Sequence, residues 1–471
     1  MIKRRSVLKA GLVLPLGTGL LSACGSPGET LGFYQQGMYL SGNFAPVDVE
    51  FTATDLPVKG RIPPELTGRY LRNGPNPLGD VNAAKYHWFL GDGMVHGIRL
   101  EDGRAAWYRN RWVRSQPVVA GLGEGDGSGA PGFGPNTNVI GHAGRTFAIV
   151  ESGQAPVELG DELGTVGEPA GWPAYTAHPK LDPDTGELHA IAYDWANLRD
   201  HVKYHVIDRH AKLVRSIDIP MQGMTMIHDM SLTQNHVVIY DLPVTVSLLA
   251  LAGGARFPFR WDEGYNARIG LMPRNGGPAD IRWSSLAKQY AYHPMNAYEN
   301  ATGEVVIDIV RYDRMFAADT HGPFGDSEPS LARWTLRPGA DRVSEVTVDE
   351  RAQEFPRIHP GLNSKPYRYG YTLVSAGTDF PAIRKHDMQT GQAEDYSFGE
   401  GRQGGEPCFV PAQRAAAEDD GYLLSIVYDE NKRTSELLIL DARDMAAPPL
   451  AAIQLPARVP YGFHGNWIAD T

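Results

Sequence analysis

The sequence predicts an all-β fold, either one propeller or a large barrel, on three observations. Short runs of β-branched and aromatic residues recur along the chain, for example at 146–150, 236–240 and 305–310. Turn-forming sequences such as residues 183–186 separate these runs. Helical periodicity is scarce, and the nearest candidate, residues 412–417, is very short. Because no clear linker and no repeat of fixed length is visible, we expect one β domain whose blade number the pattern does not give.

The composition narrows the class of protein. The chain has 471 residues, of which 42% are hydrophobic and 21% charged, as in ordinary globular proteins. Gly (53) and Pro (35) exceed average usage, which favours tight turns over long helices. The 44 Lys and Arg against 55 Asp and Glu give a net charge of −11, without a basic run. Since binding to phosphates requires clustered Lys and Arg, we expect no nucleic-acid partner.

Residues 1–24 have the features of a bacterial export signal. The pair Arg4 and Arg5 precedes the apolar run 10–21, which is too short to span a bilayer and is followed by small residues. Paired arginines in this position indicate the twin-arginine export route. The sequence therefore predicts an exported protein that is periplasmic or anchored to the membrane.

The chain has two cysteines, Cys24 and Cys408. Residues 21–24 resemble a lipobox, which predicts that Cys24 carries lipid; the alternative is an ordinary signal cut at which Cys24 is incidental. If Cys24 is lipidated or lost, Cys408 has no partner for a disulfide. Because Cys408 lies in an apolar, strand-like run, we expect it to be a buried side chain rather than a nucleophile.

Beyond the signal, we expect an N-terminal extension at 25–46 and a single domain at 47–471. An apolar run at 244–252 in this domain is also too short to span a bilayer. Core packing is its favoured interpretation. The alternative is a surface that touches a membrane or admits a substrate.

Histidines are the candidates for chemistry. Among the 15 in the chain, His201, His205 and His210 are close in sequence, but on a strand His210 would lie on the face opposite the other two, so we expect no metal site there. Four others stand singly among apolar, Pro or Gly residues, at intervals of 50, 65 and 171 residues: His178, His228, His293 and His464. A radial β fold could bring these four to its axis, where buried imidazoles need a hydrogen-bond partner or a metal. Spacing alone favours the other interpretation, which is ordinary hydrogen-bonded histidines in the core.

Several blocks of the sequence resemble the carotenoid cleavage oxygenase family, and they occur in the same order. They lie at 60–68, 72–77, 88–96 and 460–465, and the resemblance runs from about Val58 to the C-terminus. The resemblance implies a seven-bladed β-propeller with a short helical or loop cap over a ferrous ion on the axis. The family's four ligand positions match, one by one, His178, His228, His293 and His464.

The resemblance also implies three glutamates that hold the ligand histidines. The implied pairs are Glu151 with His228, Glu354 with His293 and Glu406 with His464, which leaves His178 without a carboxylate. A carboxylate that accepts the distal N–H of an imidazole fixes its tautomer and orientation and raises its basicity as a ligand. Taken singly, each glutamate would be interpreted as an exposed acid at a strand end.

The implied activity is oxidative cleavage of a conjugated C=C bond by O2 to give two carbonyl products, without an organic cofactor. The partners would be O2 and a lipophilic substrate, with membrane contact through a lipid anchor or an apolar patch. Fe(II) rests on the resemblance, because imidazole ligands suit zinc as well.

Three functions compete at this stage. The stilbene-cleaving branch of the family carries a Lys just before the glutamate that matches Glu151, and a Tyr at the position that matches Trp112; together they activate a phenol. Here these positions hold Val150 and Trp112, which favours a carotenoid or apocarotenoid substrate over a stilbenoid. The third possibility is an exported propeller that binds a lipophilic ligand without chemistry. Retention of all four histidines and three glutamates argues against it, while an isomerase activity is not distinguishable by sequence.

Overall fold

The computed structural model of the protein describes residues 35–125, 129, 132 and 134–470. The predicted export signal with Cys24, and residues 25–34 of the predicted extension, lie outside the described residues. Seven antiparallel sheets surround a central axis, and the first strands of neighbouring sheets contact one another around it. The protein is therefore a seven-bladed β-propeller, which confirms the all-β prediction and the blade number implied by the resemblance.

The first four blades hold most of the strands of the N-terminal half. Blade 1 consists of β1 (Phe51–Thr54), β3 (Gly68–Pro75), β4 (Gly93–Glu101), β5 (Arg104–Trp112) and β33 (Gly465–Ala469). Blade 2 consists of β6 (Asn138–His142), β7 (Arg145–Ile149), β8 (Val157–Leu159) and β9 (Thr165–Gly167). Blade 3 consists of β10 (Lys180–Leu181), β11 (Leu188–Tyr193), β12 (His201–Ile207) and β13 (Leu213–Pro220). Blade 4 consists of β14 (Met230–Leu232), β15 (His236–Asp241), β18 (Arg268–Pro273) and β19 (Arg282–Ser285).

The last three blades complete the ring. Blade 5 consists of β20 (Pro294–Glu299), β21 (Val305–Arg311), β22 (Ser330–Leu336) and β23 (Ser344–Asp349). Blade 6 consists of β24 (Gln353–Ile358), β25 (Tyr369–Ala376), β26 (Asp379–Asp387) and β27 (Gln392–Ser397). Blade 7 consists of β2 (Val58–Gly60), β28 (Arg402–Gly404), β29 (Cys408–Pro411), β30 (Gly421–Asp429), β31 (Thr434–Asp441) and β32 (Ala451–Gln454).

Strand position within a blade explains the sequence pattern. The predicted strand at 305–310 lies in β21, and these six residues are all buried because other blades cover both faces of the sheet. In β23, at the outer edge of the same blade, most residues are exposed. The continuous apolar runs of the sequence are therefore inner and middle strands.

The ring closes through strands from both ends of the chain. In blade 1, β3 pairs with β33 from Gly68 opposite Ala469 to Arg72 opposite Gly465. In blade 7, β2 pairs with β32 in the same antiparallel manner. Two blades thus join N-terminal and C-terminal segments, which closes the ring.

The described helices are short and lie in the connections between strands, where the turn Trp88–Leu90 belongs to the loops that cap one end of the axis. The α-helices are α1 (Gln116–Leu122) and α2 (Leu248–Ala252), and the 3-10 turns are Met38–Leu40, Gly42–Phe44, Trp88–Leu90, Pro278–Asp280 and Pro360–Leu362. A hairpin of β16 (Val244–Val246) and β17 (Phe259–Trp261) flanks α2 between β15 and β18. Among the described residues, no helix is long and apolar enough to cross a membrane.

The apolar run at 244–252 has a buried first part and an exposed second part, so each of its two interpretations holds for one part. Val244 and Val246 are buried in β16, as core packing requires. Leu248 and Leu249 project from α2 with 58% and 85% of their surface exposed. The first part of the run is therefore core, and the second is an exposed apolar surface.

Other local predictions can be compared directly. Turn-forming residues at 430–433 connect β30 to β31, which pair as an antiparallel hairpin. Residues 412–417 form turns instead of the short helix considered for them. Cys408 is buried, as predicted, and burial raises the pKa of its thiol to about 11, which keeps it neutral near pH 7.

Candidate metal centre

The four candidate ligand histidines lie at the ends of inner strands. His178 precedes β10 of blade 3, His228 precedes β14 of blade 4, and His293 and His464 stand directly before β20 and β33. The intervals of 50 and 65 residues each correspond to one blade. The interval of 171 residues passes through blades 5, 6 and 7 before it returns to blade 1. The unequal spacing is thus explained by equivalent positions in different blades.

The propeller axis brings the four imidazoles together. One ring nitrogen from each histidine lies within 4.8 Å of the nitrogens of the other three, and all four residues are buried. Nε2 of His228 and Nε2 of His293 are 3.2 Å apart. Within the described residues, this is the only group of three or more His, Cys, Asp or Glu with metal-binding geometry. Among the described residues, His201, His205 and His210 do not belong to such a group.

Three glutamates lie behind three of the histidines, in the pairing that the resemblance implies. Nδ1 of His228 is 3.0 Å from Oε2 of Glu151, and Nδ1 of His293 is 2.7 Å from Oε2 of Glu354. Nδ1 of His464 is 3.0 Å from Oε1 of Glu406. Each carboxylate accepts the Nδ1 proton, so the corresponding Nε2 carries a lone pair that points towards the axis.

Irregular backbone places these glutamates. Phe355, which follows Glu354, has φ of 53° at a register shift in β24, and Ser152, which follows Glu151, has φ of 65°. Left-handed backbone is uncommon for residues other than glycine and tends to occur where a site requires it. Glu406 lies in the gap between β28 and β29, both of which pair with β30. In each case the strand is interrupted where the carboxylate turns towards its histidine.

Further donors hold the carboxylates themselves. The Tyr312 hydroxyl donates to Oε1 of Glu354 at 3.1 Å, and the Tyr193 hydroxyl bonds to Glu151. Nη1 of Arg357 donates to Oε1 of Glu406 at 3.3 Å. Burial alone would raise the pKa of Glu406, but Arg357 and its other partners lower it to about 2. Glu406 is therefore a carboxylate throughout the neutral pH range.

The electrostatics of the cluster suit a bound cation. Burial lowers the pKa of His178 well below its ordinary value and that of His464 to about 4, so both are neutral near pH 7. For His293, the effect of Glu354 outweighs that of burial and raises the pKa. Nε2 of His178 is buried and has no hydrogen-bond partner among the described residues. A divalent metal ion with four nitrogen ligands would accept the converging lone pairs and would give the unpartnered nitrogen a partner. The residues therefore fit a metal ion.

An aromatic cavity of about 120 Å³ leads to the centre. Three of the four histidines line it, together with Glu151 and Glu354. Its remaining wall is mainly aromatic, with Trp88, Phe89, Tyr193, Trp195, Phe257, Phe259, Tyr292, Tyr312, Phe324, Phe355, Phe380 and Phe463. The Phe355 ring stacks on His293 with centroids 5.6 Å apart and an interplanar angle of 26°. Such a cavity suits a flat, apolar group next to the histidines.

The two residues on which the choice of substrate was based, Val150 and Trp112, differ in their position relative to the cavity. Val150 lines the cavity beside Glu151, so an apolar side chain faces the substrate space there. Trp112 is instead packed with Met94 and Val118, and its Nε1 donates to the carbonyl of Asn76 at 2.8 Å. Trp112 is therefore part of the core, does not line the cavity, and gives no direct information on the substrate.

Sequence reasoning overlooked one acidic residue at the centre. Asp229 follows His228, is 5% exposed, and places Oδ2 3.8 Å from Nδ1 of His178. Lys180 lies 2.8 Å from it, and burial raises the pKa of Asp229 although Lys180 opposes this effect. Its position directly after a ligand was visible in the sequence, but nothing in the sequence linked it to blade 3.

Comparison with known proteins agrees with this geometry. Residues 44–469 match the model of the retinal pigment epithelial membrane protein family. The chain is 45% identical to the carotenoid cleavage oxygenase of Mycobacterium tuberculosis, over 93% of this chain and 98% of that protein. It is 33% identical to a carotenoid 9,10(9',10')-cleavage dioxygenase of Crocus sativus, over 92% of this chain and 89% of that protein.

Solved structures show the same architecture. A lignostilbene dioxygenase of Pseudomonas brassicacearum matches with a TM-score of 0.83 and 27% identity, over 92% of this chain and 98% of that one. A cobalt-substituted apocarotenoid oxygenase of Synechocystis matches with a TM-score of 0.80 and 29% identity, over 90% of this chain and 97% of that one. The similarity to these proteins extends over almost the whole propeller, which includes the four histidines of the centre. The protein therefore belongs to the carotenoid cleavage oxygenase family.

Proposed function

We propose that this protein is a non-haem Fe(II) dioxygenase that cleaves a conjugated C=C bond of a carotenoid or apocarotenoid. One substrate molecule and one O2 are consumed, the C=C and O–O bonds break, and each former alkene carbon becomes a carbonyl carbon. No external reductant is required, because all four electrons gained by the oxygen atoms come from the alkene. The two products are aldehydes or ketones.

The observation that carries the proposal is that a four-histidine centre lies at the wall of an aromatic cavity. Nε2 of His178, His228, His293 and His464 would hold the ion. Iron bound there would supply activation of O2, as the family relationship implies. These four ligands would leave room on the ion for O2 beside the substrate. A propeller that only binds a lipophilic ligand has no need of four converging imidazoles and their carboxylates.

The chain's own residues bind and orient the substrate. The aromatic walls exclude water and hold a flat polyene by apolar contact. Glu151, Glu354 and Glu406 hold the Nδ1 protons of three histidines, so that each imidazole keeps one orientation and one tautomer. A fixed ligand set beside a fixed substrate determines which C=C bond reacts.

A carotenoid or apocarotenoid is preferred over a stilbenoid for two reasons. Val150 provides no cation at the cavity wall next to Glu151, where phenol activation in the stilbene-cleaving branch uses a Lys. The relative with 45% identity is named a carotenoid cleavage oxygenase, whereas the lignostilbene dioxygenase is 27% identical. The stilbenoid remains the second candidate because that dioxygenase superposes with a TM-score of 0.83.

The test is anaerobic loading of the purified protein with Fe(II), followed by incubation with O2 and a panel of a carotenoid, an apocarotenoid and a hydroxystilbene. Mass spectrometry under 18O2 should find paired carbonyl products from a polyene, each labelled when solvent exchange is prevented. Faster cleavage of the hydroxystilbene would favour the second candidate. An isomerised substrate of unchanged mass, or no product from any of the three, would contradict the proposal.

Export by the twin-arginine route with lipid on Cys24 completes the proposal. The centre combines residues as distant as His178 and His464, so metal binding requires the folded chain. The twin-arginine route moves folded proteins, which permits metal loading before export. A variant with Arg4→Lys and Arg5→Lys should accumulate as folded, metal-loaded precursor in the cytoplasm, and Cys24→Ser should abolish lipid attachment. Undiminished export of the first variant would exclude this route.

A further inference from the structure

His178 differs from the other three histidines in what lies behind it. Each of the others places Nδ1 within 3.0 Å of a glutamate oxygen. The acidic side chain nearest to Nδ1 of His178 is Asp229, whose Oδ2 is 3.8 Å away, beyond hydrogen-bond distance. At this separation in a buried site, a negative charge still attracts the N–H end of the imidazole.

Asp229 is fixed in place from two sides. Nζ of Lys180 lies 2.8 Å from its carboxylate, and the backbone N–H of Met230 donates to Oδ1. Only 2% of the Asp229 side chain is exposed, against 19% of that of Lys180. Lys180 begins β10 of blade 3, whereas Asp229 precedes β14 of blade 4. The ion pair therefore joins the two blades that supply His178 and His228.

The charged side chains around the four histidines have a net charge that matches a divalent ion. Four carboxylates surround the histidines: Glu151, Glu354, Glu406 and Asp229. Among the described residues, two cations form ion pairs with these carboxylates, Lys180 with Asp229 and Arg357 with Glu406. With four neutral imidazoles, four negative and two positive charges leave a net charge of −2, which one divalent ion neutralises. Without Asp229 the net charge would be −1.

We propose that Asp229, held by Lys180, is the positioning residue for His178 and the fourth carboxylate of the metal centre. Its charge favours the His178 tautomer with the proton on Nδ1, which leaves the lone pair of Nε2 free for the ion. In this role it replaces the glutamate that each of the other ligands has. The inference rests on the metal centre of the proposed function, but not on the substrate or the reaction.

A purely structural role as a tie between blades 3 and 4 is the competing explanation. The chain offers a matched control for it in Asp182. This residue follows β10, has 5% of its side chain exposed, and pairs with Arg274, which follows β18 of blade 4. Asp182 thus belongs to a second buried ion pair between the same two blades, outside the histidine cluster.

The experiment compares Asp229→Asn and Asp182→Asn in the full-length protein. Metal-free protein is titrated anaerobically with Fe(II) and with Co(II) against a chromophoric chelator, and the ligand-field bands of bound Co(II) are recorded. Asp229→Asn should raise the Kd for both ions by roughly 10- to 100-fold and shift the Co(II) bands. Asp182→Asn should keep the wild-type Kd within about 2-fold and the wild-type spectrum, although both variants lower the melting temperature.

Unchanged Kd and spectrum in Asp229→Asn would overturn the inference, as would equal weakening in both variants. If Asp229→Asn does not fold, the double variant Lys180→Met with Asp229→Leu removes the ion pair without leaving an unpaired charge. It should also weaken metal binding by about 10-fold, and a wild-type Kd would again overturn the inference. Product formation by the wild type is measured separately. A wild type that binds the ions but cleaves nothing would contradict the proposed function and leave the role of Asp229 standing.

Discussion

Glu406 accepts hydrogen bonds from His464 and from the neighbouring backbone, one with each carboxylate oxygen. Oε1 accepts from Nδ1 of His464 at 3.0 Å, and Oε2 accepts from the N–H of Gly465 at 2.9 Å. The two residues are 58 positions apart in the chain and come from blades 7 and 1, where the ring closes. The same contact therefore orients a candidate metal ligand and joins the last blade to the first.

Glu406→Gln should lower activity by roughly 10- to 100-fold while the protein retains part of its metal. A glutamine can accept from only one of the two N–H groups, and its own NH2 would face the second donor or Arg357. The measurement is steady-state turnover together with iron content. Wild-type turnover would show that Glu406 does not orient a ligand.

Glu299→Gln is the matched control for this prediction. Oε1 of Glu299 is 2.8 Å from Nδ1 of His236, so this pair has the same chemistry as the pair of Glu406 and His464. It lies between blades 4 and 5, outside the four-histidine cluster. We expect wild-type turnover and iron content in Glu299→Gln. A matching loss in both variants would indicate that damage to any such pair has the same effect.

Acid should destabilise the metal-free protein in two successive pH windows. Burial lowers the pKa of His464 to about 4, below its ordinary value of 6.5, so stability falls as the pH drops from about 6.5 to 4. Glu406 has a pKa of about 2 instead of 4.5, so its contribution is complete above about pH 4.5 and is lost as the pH falls towards 2. A shift of this size corresponds to roughly 3 kcal/mol at one group.

Urea unfolding of the metal-free protein from pH 7 to pH 3 measures this dependence. Glu406→Gln has no carboxylate to protonate, so its profile should be flatter than that of the wild type below about pH 4.5. The two profiles should run parallel between pH 7 and pH 6.5. Parallel profiles below pH 4.5 as well would mean that the folded-state pKa of Glu406 is not depressed.

The sequence predicted the structure best where burial restricts which residue types can occupy a position. Single histidines among apolar, Pro and Gly residues, such as His178 and His464, could be connected to acids such as Glu406 through the family's blocks. Individual strands such as β21 were also predictable, because burial on both faces demands a continuous apolar run. These features depend on local sequence and on burial.

The blade number and Asp229 depend on contacts that no local pattern encodes. Blade 4 contains the additional hairpin β16–β17, and blade 7 takes β2 from the other end of the chain, so the blades have no common length in sequence. Asp229 lies near His178 because blades 3 and 4 are neighbours, and Lys180 of blade 3 is 2.8 Å from its carboxylate. The left-handed backbone at Phe355, where L-residues are uncommon, was equally invisible in the sequence.

His228→Ala should abolish metal binding, whereas His205→Ala should not. His228 contributes a nitrogen to the cluster, and His205 is a buried histidine of blade 3 outside it. Elemental analysis should find about one iron per chain in the wild type and in His205→Ala, and less than about a tenth of that in His228→Ala. His205→Ala controls for the loss of a buried imidazole. Equal loss of iron in both variants would contradict the assignment of the centre.

Leu249→Asp should weaken binding to lipid vesicles by about 10-fold when tested in a Cys24→Ser background, which removes the proposed lipid anchor. Leu248 and Leu249 are exposed on α2, and the chain continues from there into Phe257 and Phe259 of the cavity wall. An apolar surface beside the cavity would let a lipophilic substrate pass from a bilayer to the centre without crossing water.

Val346→Asp is the control for that variant, because Val346 is 59% exposed on β23 at the outer edge of blade 5. Vesicle co-sedimentation at fixed lipid concentration measures the bound fraction of both variants. Val346→Asp should bind as the parent protein does, since an exposed valine away from α2 makes no contact with the bilayer. Loss in both variants would indicate a general charge effect, and loss in neither would mean that α2 does not contact the membrane. In that case the proposed lipid on Cys24 would be tested next, through the membrane fraction of protein with Cys24 intact.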